Sequence, residues 1–165
     1  MKMPVPEPGV RPVVLREATP ADAAAISALV CELTRCWIAP DCTPEGAARL
    51  LQMLAPEPTA TRMADGFRYL VAQRGDELVG VTALRPPAHL FHLFVSESAQ
   101  RQGLARRLWQ TVQGWVAEAN PTLPITVNAS RHALAVYRNF GFEATAPEVS
   151  EHGIVSTPML WRPKA

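Results

Sequence analysis

The sequence predicts one mixed α/β domain, with helices flanking a single twisted β-sheet of about six to seven strands and about four helices. The chain has 165 residues, which is the length of one ordinary domain. Hydrophobic residues make up 48% and charged residues 19%, a composition typical of a globular protein. Short aromatic and β-branched runs alternate with segments whose apolar residues recur at helical spacing.

The N-terminal third is predicted to contain a tail, a strand and two helices. Four prolines in the first twelve residues predict a flexible tail at residues 1–11, so that the domain occupies residues 12–165. A short strand at 13–16 follows. Thr19-Pro20 and Thr43-Pro44 are helix-start signals, because threonine caps a helix and proline fits its first position. We expect the second helix to end before Pro56, because proline cannot continue the backbone hydrogen bonds.

The remaining elements alternate between strands and helices. Residues 67–73 and 78–84 predict an antiparallel hairpin, and the apolar run at 89–95 predicts a central strand. Helical spacing of apolar residues from Leu104 to Ala119 predicts a long helix. A strand at 125–127, a helix from Ala133 to Phe140 that Gly141 ends, and two strands within 142–161 complete the order.

Composition excludes several classes of protein. Sixteen lysines and arginines against fifteen acidic residues give a net charge of +1, which excludes wholesale binding of nucleic acid or of a membrane surface. The chain lacks an apolar stretch of roughly 20 residues and a signal-peptide core, so we expect a cytoplasmic protein. Cys31, Cys36 and Cys42 are odd in number and lack metal-ligand spacing, which predicts reduced thiols and no metal.

The transition from strand to helix at residues 95–107 predicts an anion site. Backbone N–H groups in the first turn of a helix have no intrahelical partner and carry a partial positive charge. Gly103 and Ala105 allow a phosphate to approach the main chain, and Arg101, Arg106 and Arg107 add positive charge. We therefore expect a pyrophosphate there. Neither G-x-G-x-x-G nor G-K-[ST] is present, which excludes those nucleotide-binding loops.

The hexapeptide QRQGLA at residues 100–105 resembles the Q/R-x-x-G-x-G/A motif of the GCN5-related N-acetyltransferases (GNAT), which bind acetyl-coenzyme A there. The segment YRNFGF at 137–142 is similar to the Y-x-x-x-G-F signature of the same superfamily. The order of elements from 13 to 161 also resembles the family's. This resemblance implies the GNAT fold, with a splay between the two central parallel strands.

The resemblance also implies how the coenzyme binds. The pantetheine arm lies along the central strand like an added strand, the loop at 100–105 holds the phosphates, and Asn128 binds the amides of the arm in the cleft. The implied coenzyme-binding residues are Leu93, Phe94, Val95, Gln100, Arg101, Gln102, Gly103, Leu104, Ala105 and Asn128. Ser130 stands where many members have asparagine, and its hydroxyl is expected to cap the next helix.

Tyr137 is implied as the acid that protonates the departing thiolate. A phenol with a pKa near 10 donates to a thiolate of pKa about 8.5 only where the two are held close together. A main-chain N–H on the central strand is expected to stabilise the tetrahedral intermediate. The structural alternative for Tyr137 is a core tyrosine with a satisfied hydroxyl.

His89 is the candidate base, because it stands near the position where some members of the family have glutamate. A histidine can take a proton from the amine at neutral pH, directly or through water. Glu97, Glu151 and His152 are competing candidates, and His92 is expected on the other face of the strand under strict alternation. Each of these residues also has a structural alternative. His89 is then a structural histidine, Gly103 and Ala105 allow close packing of a helix on a strand, and Asn128 caps the end of a strand.

These features predict an N-acetyltransferase that moves the acetyl group of acetyl-CoA to a primary amine by direct attack in a ternary complex. An acyl-CoA-binding regulatory module without turnover and a structural interaction domain are the alternatives. The acceptor is a small-molecule or peptide amine that the sequence leaves open. Arg35, Arg49 and Arg62 favour an acidic acceptor, although a solvated surface explains them equally well. A homodimer is compatible with the family.

Overall fold

The computed structural model describes residues 11–164, so the predicted tail at 1–11 lies outside the described residues except for Arg11. The described part of the chain forms eight strands and five α-helices, against the six to seven strands and four helices expected. In chain order they are β1 Val13–Glu17, α1 Ala23–Trp37, α2 Pro44–Met53, α3 Pro56–Ala64, β2 Arg68–Arg74, β3 Glu77–Arg85, β4 His89–Val95, α4 Leu104–Ala119, β5 Ile125–Ala129, α5 Leu134–Asn139, β6 Glu143–Ala144, β7 Val149–Glu151 and β8 Ile154–Trp161. Short 3₁₀ turns precede or follow the helices at Pro20–Asp22, Ala39–Asp41, Glu97–Ala99 and Arg131–Ala133.

The strands form a mixed sheet in the order β1-β2-β3-β4-β5-β8-β6, with β7 paired to β8. Every pairing is antiparallel except that of β4 with β5. This parallel pairing covers only His89 opposite Thr126 and Leu90 opposite Val127. Beyond these two pairs the strands separate, which is the splay that the resemblance implied.

Helices cover both faces of the sheet. Side chains of α1, together with partly buried ones from α2 and α3, pack on one face with Tyr69 and Val81. The long helix α4 and the short α5 pack on the other face, where Trp109 and Tyr137 lie against Leu90 and Ile125. The splayed pair β4–β5 is therefore enclosed between two layers of helices.

Helix α3 was not expected, because Pro56 had been interpreted as the end of α2. Pro56 instead occupies the first position of a new helix, where its missing N–H costs nothing and its fixed φ is suitable. The backbone of Ala55 is extended, with φ −62° and ψ 162°, and this single residue joins the helix to the end of α2 at Leu54. Residues 142–161 form three strands, β6, β7 and β8, where two were expected, and the residues of the short β6 and β7 are all exposed.

A β-bulge interrupts β4. Ala83 pairs with His92 and Leu84 pairs with Leu90, so Phe91 has no partner on β3. His92 packs with Tyr69 and Phe94 on the α1 face, where Phe91 also lies. Leu90 faces α4, so His89 and His92 lie on the same face of the sheet. The expectation of opposite faces was wrong, because the bulge adds one residue between them.

Candidate active site

A cavity of about 690 Å³ occupies the splay between β4 and β5. Its walls come from α1 and α2, from β4 and the loop after it, from β5 and α5, and from the turn between β7 and β8. The sheet supplies the floor because β4 and β5 lose their mutual hydrogen bonds there. The splay therefore exposes strand backbone to a space large enough for a small ligand.

The exposed backbone belongs to alternate residues of β4. The Ser96 N–H donates to the Val79 carbonyl (2.9 Å), and residue pairs of an antiparallel ladder are hydrogen-bonded alternately. The register therefore bonds Phe94 to β3 and turns the N–H and C=O groups of Leu93 and Val95 towards the splay. Gln100 Nε2 donates to the Val95 carbonyl (3.1 Å), in agreement with that direction. Phe94 contributes its side chain to the cavity lining rather than free main-chain groups.

The first turn of α4 forms the second part of the site. Gly103 is its N-cap with φ 75° and ψ 9°, a left-handed conformation that favours glycine, and no side chain caps the helix. A Cβ at Gly103 would meet nothing within 4 Å, and the first N–H groups of this turn have no intrahelical partner. Arg101 also has a positive φ of 63°, a strained conformation that is common at ligand-binding loops.

The remaining residues of this loop differ in where their side chains lie. Gln100, Arg101 and Ala105 line the cavity, whereas Leu104 is buried and contacts the position of Gly80 in the core. Gln102 and Gly103 are exposed and do not line it. Among residues 11–164, Arg101, Arg106 and Arg107 take part in no ion pair, so their charges are available to an anion.

Tyr137 lies in α5 on the far wall of the cavity. Its side chain is only 6% exposed and packs edge-on against Phe142, with ring centroids 5.4 Å apart. Burial raises the pKa of Tyr137 above its ordinary value, so the hydroxyl stays protonated in neutral solution. Ser130 precedes this helix, and its hydroxyl accepts the Ala133 N–H (3.3 Å), which confirms the expected cap.

Asn128 lies on β5 at the opposite edge of the splay from Val95. It is exposed and lines the cavity, so its amide faces the space between the two strands. The five-residue strand alternates buried and exposed positions, which places Asn128 on the open face. The side chain is therefore available to a ligand.

The two histidines of β4 occupy different environments. His89 lies at the closed end of the splay and outside the cavity lining, where its Nδ1 forms a hydrogen bond with Thr126 Oγ1 (2.7 Å). Burial and the nearby charge of Arg85 lower the pKa of His89 to about 4. His92 lines the cavity, and burial together with Arg62 lowers its pKa to about 3.

Of the competing base candidates, Glu151 and His152 line the cavity and Glu97 does not. Glu151 ends β7, and His152 begins the two-residue turn between β7 and β8, in which His152 has φ 53° and Gly153 has φ 80°. Two consecutive positive φ values are typical of a type I′ hairpin turn. The turn places His152 at the cavity rim.

The three arginines considered for an acidic acceptor differ in whether they line the cavity. Arg62 donates to the Tyr69 hydroxyl (2.9 Å) and to the Met53 carbonyl (2.8 Å), and Arg35 is exposed on α1. Neither lines the cavity, whereas Arg49 of α2 does.

Sequence reasoning missed most of the wall opposite the coenzyme loop. Thr34 of α1 is fully buried and its Oγ1 has no hydrogen-bond partner among the described residues, although it lines the cavity. Trp37 stacks on His132 with ring centroids 4.4 Å apart. These residues come from distant segments, and no local spacing links them.

Comparison with protein families identifies the class of protein. A family model described as an acetyltransferase (GNAT) domain matches residues 38–163, so the chain belongs to the GNAT acetyltransferase family. It is therefore an acyltransferase by class. A search of curated proteins found no match. None of the helices in the described part of the chain is both long and apolar enough to span a membrane.

Solved structures share the fold. A GCN5-related N-acetyltransferase from Rhodopseudomonas palustris has a TM-score of 0.77 at 23% identity, covering 93% of this chain and 97% of that one. The PaiA N-acetyltransferase from Thermoplasma acidophilum, in complex with coenzyme A, has a TM-score of 0.76 at 13% identity, covering 92% and 99%. YncA, a putative acetyltransferase from Salmonella typhimurium with its cofactor acetyl-CoA, has a TM-score of 0.64 at 18% identity, covering 93% of this chain and 95% of that one.

Proposed function

We propose that this protein transfers the acetyl group of acetyl-CoA to a primary amine by direct attack in a ternary complex. The observation that carries this proposal is that one cavity joins three features: the free strand backbone of β4, the uncapped first turn of α4, and Tyr137. Each feature suits a different part of an acyl-CoA.

The residues present fit the coenzyme. The uncapped N–H groups at the start of α4, the open Cβ position at Gly103 and the unpaired charge of Arg101 favour a diphosphate. The N–H and C=O groups of Leu93, the N–H of Val95 and the amide of Asn128 suit the peptide-like amides of the pantetheine arm, whereas the Val95 carbonyl is held by Gln100. Coenzyme complexes of PaiA and YncA, which share the fold, support this assignment. Bound acetyl-CoA supplies an acyl group activated by its bond to sulfur.

Tyr137 acts as the proton donor to the leaving sulfur in this proposal. Its raised pKa keeps the proton on the hydroxyl until negative charge develops nearby. Burial against Phe142 fixes the ring, so that the position of the donor rather than its acidity provides the catalytic effect. The Leu93 N–H, directed into the splay, is the proposed donor to the acyl oxygen.

The proton of the amine needs a separate acceptor. An acceptor enters mostly as an ammonium ion and must lose one proton before its nitrogen attacks the acyl carbon. The carbon–nitrogen bond then forms, the carbon–sulfur bond breaks, and the sulfur receives the proton of Tyr137. The nitrogen loses its second proton as the amide forms, and this proton returns to Tyr137. The role of His89 as base stays a prediction. Because it lies outside the cavity lining, His89 reaches the amine only through water.

Direct attack requires no acyl-enzyme, and the positions of the cysteines agree with this. Cys31, Cys36 and Cys42 are free thiols of the α1–α2 region, and none of them lines the cavity. A covalent route needs a nucleophile next to the acyl carbon.

Calorimetry with coenzyme A and a thiol-release assay with acetyl-CoA test the proposal together. We expect coenzyme binding, thermal stabilisation by the ligand, and thiol release that depends on an added amine. Binding without release for any amine would instead support a regulatory acyl-CoA-binding module. Absence of both binding and stabilisation would indicate a structural interaction domain.

A further inference from the structure

The end of the cavity farthest from the coenzyme loop is largely apolar. It is formed by α1, α2, the bulged part of β4 and the turn between β7 and β8. The apolar side chains that define this acceptor end are Leu33, Trp37, Leu50, Met53, Phe91 and Ile154. Such a surface favours an acceptor with an apolar body, because burying it releases water from both sides.

The charges of the cavity oppose a polycationic acceptor. Among the described residues that line the cavity, Glu151 is the only carboxylate, whereas Arg49 and Arg101 are cations. A polyamine or an aminoglycoside carries several ammonium groups, and each one needs a carboxylate or carbonyl partner to leave water. One carboxylate satisfies one ammonium.

Arg49 is the cation at the acceptor end. It is exposed on α2 and forms no ion pair with any residue in 11–164. Arg49 and His152 also line a shallower groove beside the cavity, so both lie on the rim that the two spaces share. A guanidinium at this position can form two parallel hydrogen bonds to a carboxylate.

The backbone that carries Arg49 is held in place. The Thr43 N–H donates to the Gly153 carbonyl (2.9 Å), which ties the start of α2 to the β7–β8 turn. A side chain at Gly46 would collide with the main chain of Gly153, so the two segments are in direct contact. Arg49, one turn further along α2, is therefore fixed relative to Glu151 and His152.

A buried polar atom supports a polar group on the ligand. Thr34 Oγ1 is inaccessible and has no partner among the described residues, although the residue borders the cavity. An unpaired buried hydroxyl is unfavourable, and a hydrogen bond to a ligand oxygen or amide at the acceptor end would remove that penalty.

Contacts across the acceptor end limit the size of the ligand. Trp37 stacks on His132, which connects the end of α1 to the segment before α5. Arg131 forms ion pairs with Glu148 (2.6 Å) and Asp41 (3.4 Å), which connect the same segment to two further loops. These bridges suit a small molecule better than a lysine on a folded protein.

We propose that the acceptor is a small amine that carries a carboxylate and an apolar side chain, as an apolar α-amino acid does, and that Arg49 binds its carboxylate. The inference rests on the proposed function and specifies its substrate class. Arg49 is then a specificity-determining residue, and Glu151 is the carboxylate of the cavity lining that can pair with the single ammonium group.

The test is a thiol-release assay with acetyl-CoA and matched acceptors. L-Leucine and L-phenylalanine are compared with leucinamide and phenylalaninamide, with the phosphonate analogue of leucine, and with spermidine. We expect turnover with the amino acids and at least tenfold lower kcat/KM with the amides and with spermidine. Arg49→Gln should raise KM for leucine roughly ten- to hundredfold, because a charge-assisted hydrogen-bonded pair is lost. The same variant should change KM for leucinamide less than twofold.

Arg35→Gln is the matched control, because it removes an exposed arginine of α1 that does not line the cavity. We expect unchanged kinetics for it. Equal KM for leucine in Arg49→Gln and wild type, preference for the amides or spermidine, or no turnover with any carboxylate-bearing amine would overturn the inference. Turnover of the phosphonate but not of leucine would assign the site to a phosphorus oxyanion. Calorimetric binding of coenzyme A together with thiol release that depends on some other amine would retain the proposed function while this inference fails.

Discussion

The two ends of the cavity are built in different ways. The coenzyme end comes from one continuous segment, residues 89–106, and relies on main-chain groups of β4 and of the first turn of α4. The acceptor end combines side chains of α1 and α2 with side chains of the bulged part of β4 and of the β7–β8 turn, which lie much further along the chain. Main-chain recognition requires small residues at fixed spacing and so leaves a sequence motif. Side-chain recognition leaves none.

Replacing Gly103 by valine should produce the largest effect, because it alters the coenzyme end directly. A side chain would be added at the N-cap of α4, and the positive φ would be strained. We expect no measurable coenzyme binding by calorimetry. Gly66→Val is the matched control, since Gly66 also has a positive φ of 98° and an open Cβ position but follows α3 rather than capping α4. Equal affinity in both variants would contradict a main-chain phosphate site.

Tyr137→Phe should lower kcat about 10³-fold and leave coenzyme affinity within twofold, because only the proton donor is removed. Tyr69→Phe is its control: Tyr69 is also buried, and its hydroxyl accepts from Arg62 rather than facing the cavity. Steady-state kinetics and calorimetry give the two quantities. A Tyr137 variant with wild-type turnover would leave that residue a structural role only.

Comparing His89→Gln with His152→Gln tests which of the two histidines accepts the proton of the amine. A base at His89 that acts through water predicts a loss of about 10²-fold in kcat. Because its pKa of about 4 leaves the imidazole neutral above that pH, wild-type turnover should not decline through this group until the pH falls towards 4. A loss confined to His152→Gln would move the base to the acceptor end.

His92 predicts a smaller effect, on stability in acid. Its pKa is about 3 in the folded protein and near 6.5 in the unfolded chain, so only the unfolded chain gains this proton as the pH falls from 6.5. The free energy of unfolding then decreases by up to about 1.4 kcal/mol per pH unit down to pH 3.

His92→Phe should therefore flatten the dependence of the free energy of unfolding on pH between 6.5 and 4, as measured by urea titration. Phenylalanine retains the aromatic packing against Tyr69 and Phe94. His132→Gln, at an exposed position, is the control. A slope in His92→Phe equal to that of wild type would show that His92 takes up its proton in the folded state.

The sequence predicted the elements of the coenzyme end to within a few residues. The bounds of β4 and α4 agree with the apolar run at 89–95 and with the helical spacing from Leu104 to Ala119. The loop motif indicated that the main chain at Gly103 is open to close approach, but it did not indicate the left-handed conformation that Gly103 adopts. The direction of the β4 main chain was not predictable, since hydrogen-bond alternation depends on the register with β3.

The acceptor end was less accessible to sequence reasoning for two physical reasons. Prolines at 56 and 58 are compatible with either the end or the start of a helix. In the structure, Pro56 begins α3. The bulge at Phe91 turned His92 into the cavity wall, although an alternating pattern places it opposite His89. Arg49 was distinguishable from Arg35 and Arg62 only once the contacts of each guanidinium were known.

The contact between Gly46 and Gly153 has a practical consequence for redesign. Because neither glycine leaves room for a side chain, α2 and the β7–β8 turn cannot be altered independently. A library that seeks new acceptors should exchange residues 43–54 and 148–157 as one matched cassette from the same parent. Mixed parentage at these two segments should give chimeras that misplace residue 49 while the coenzyme loop remains intact.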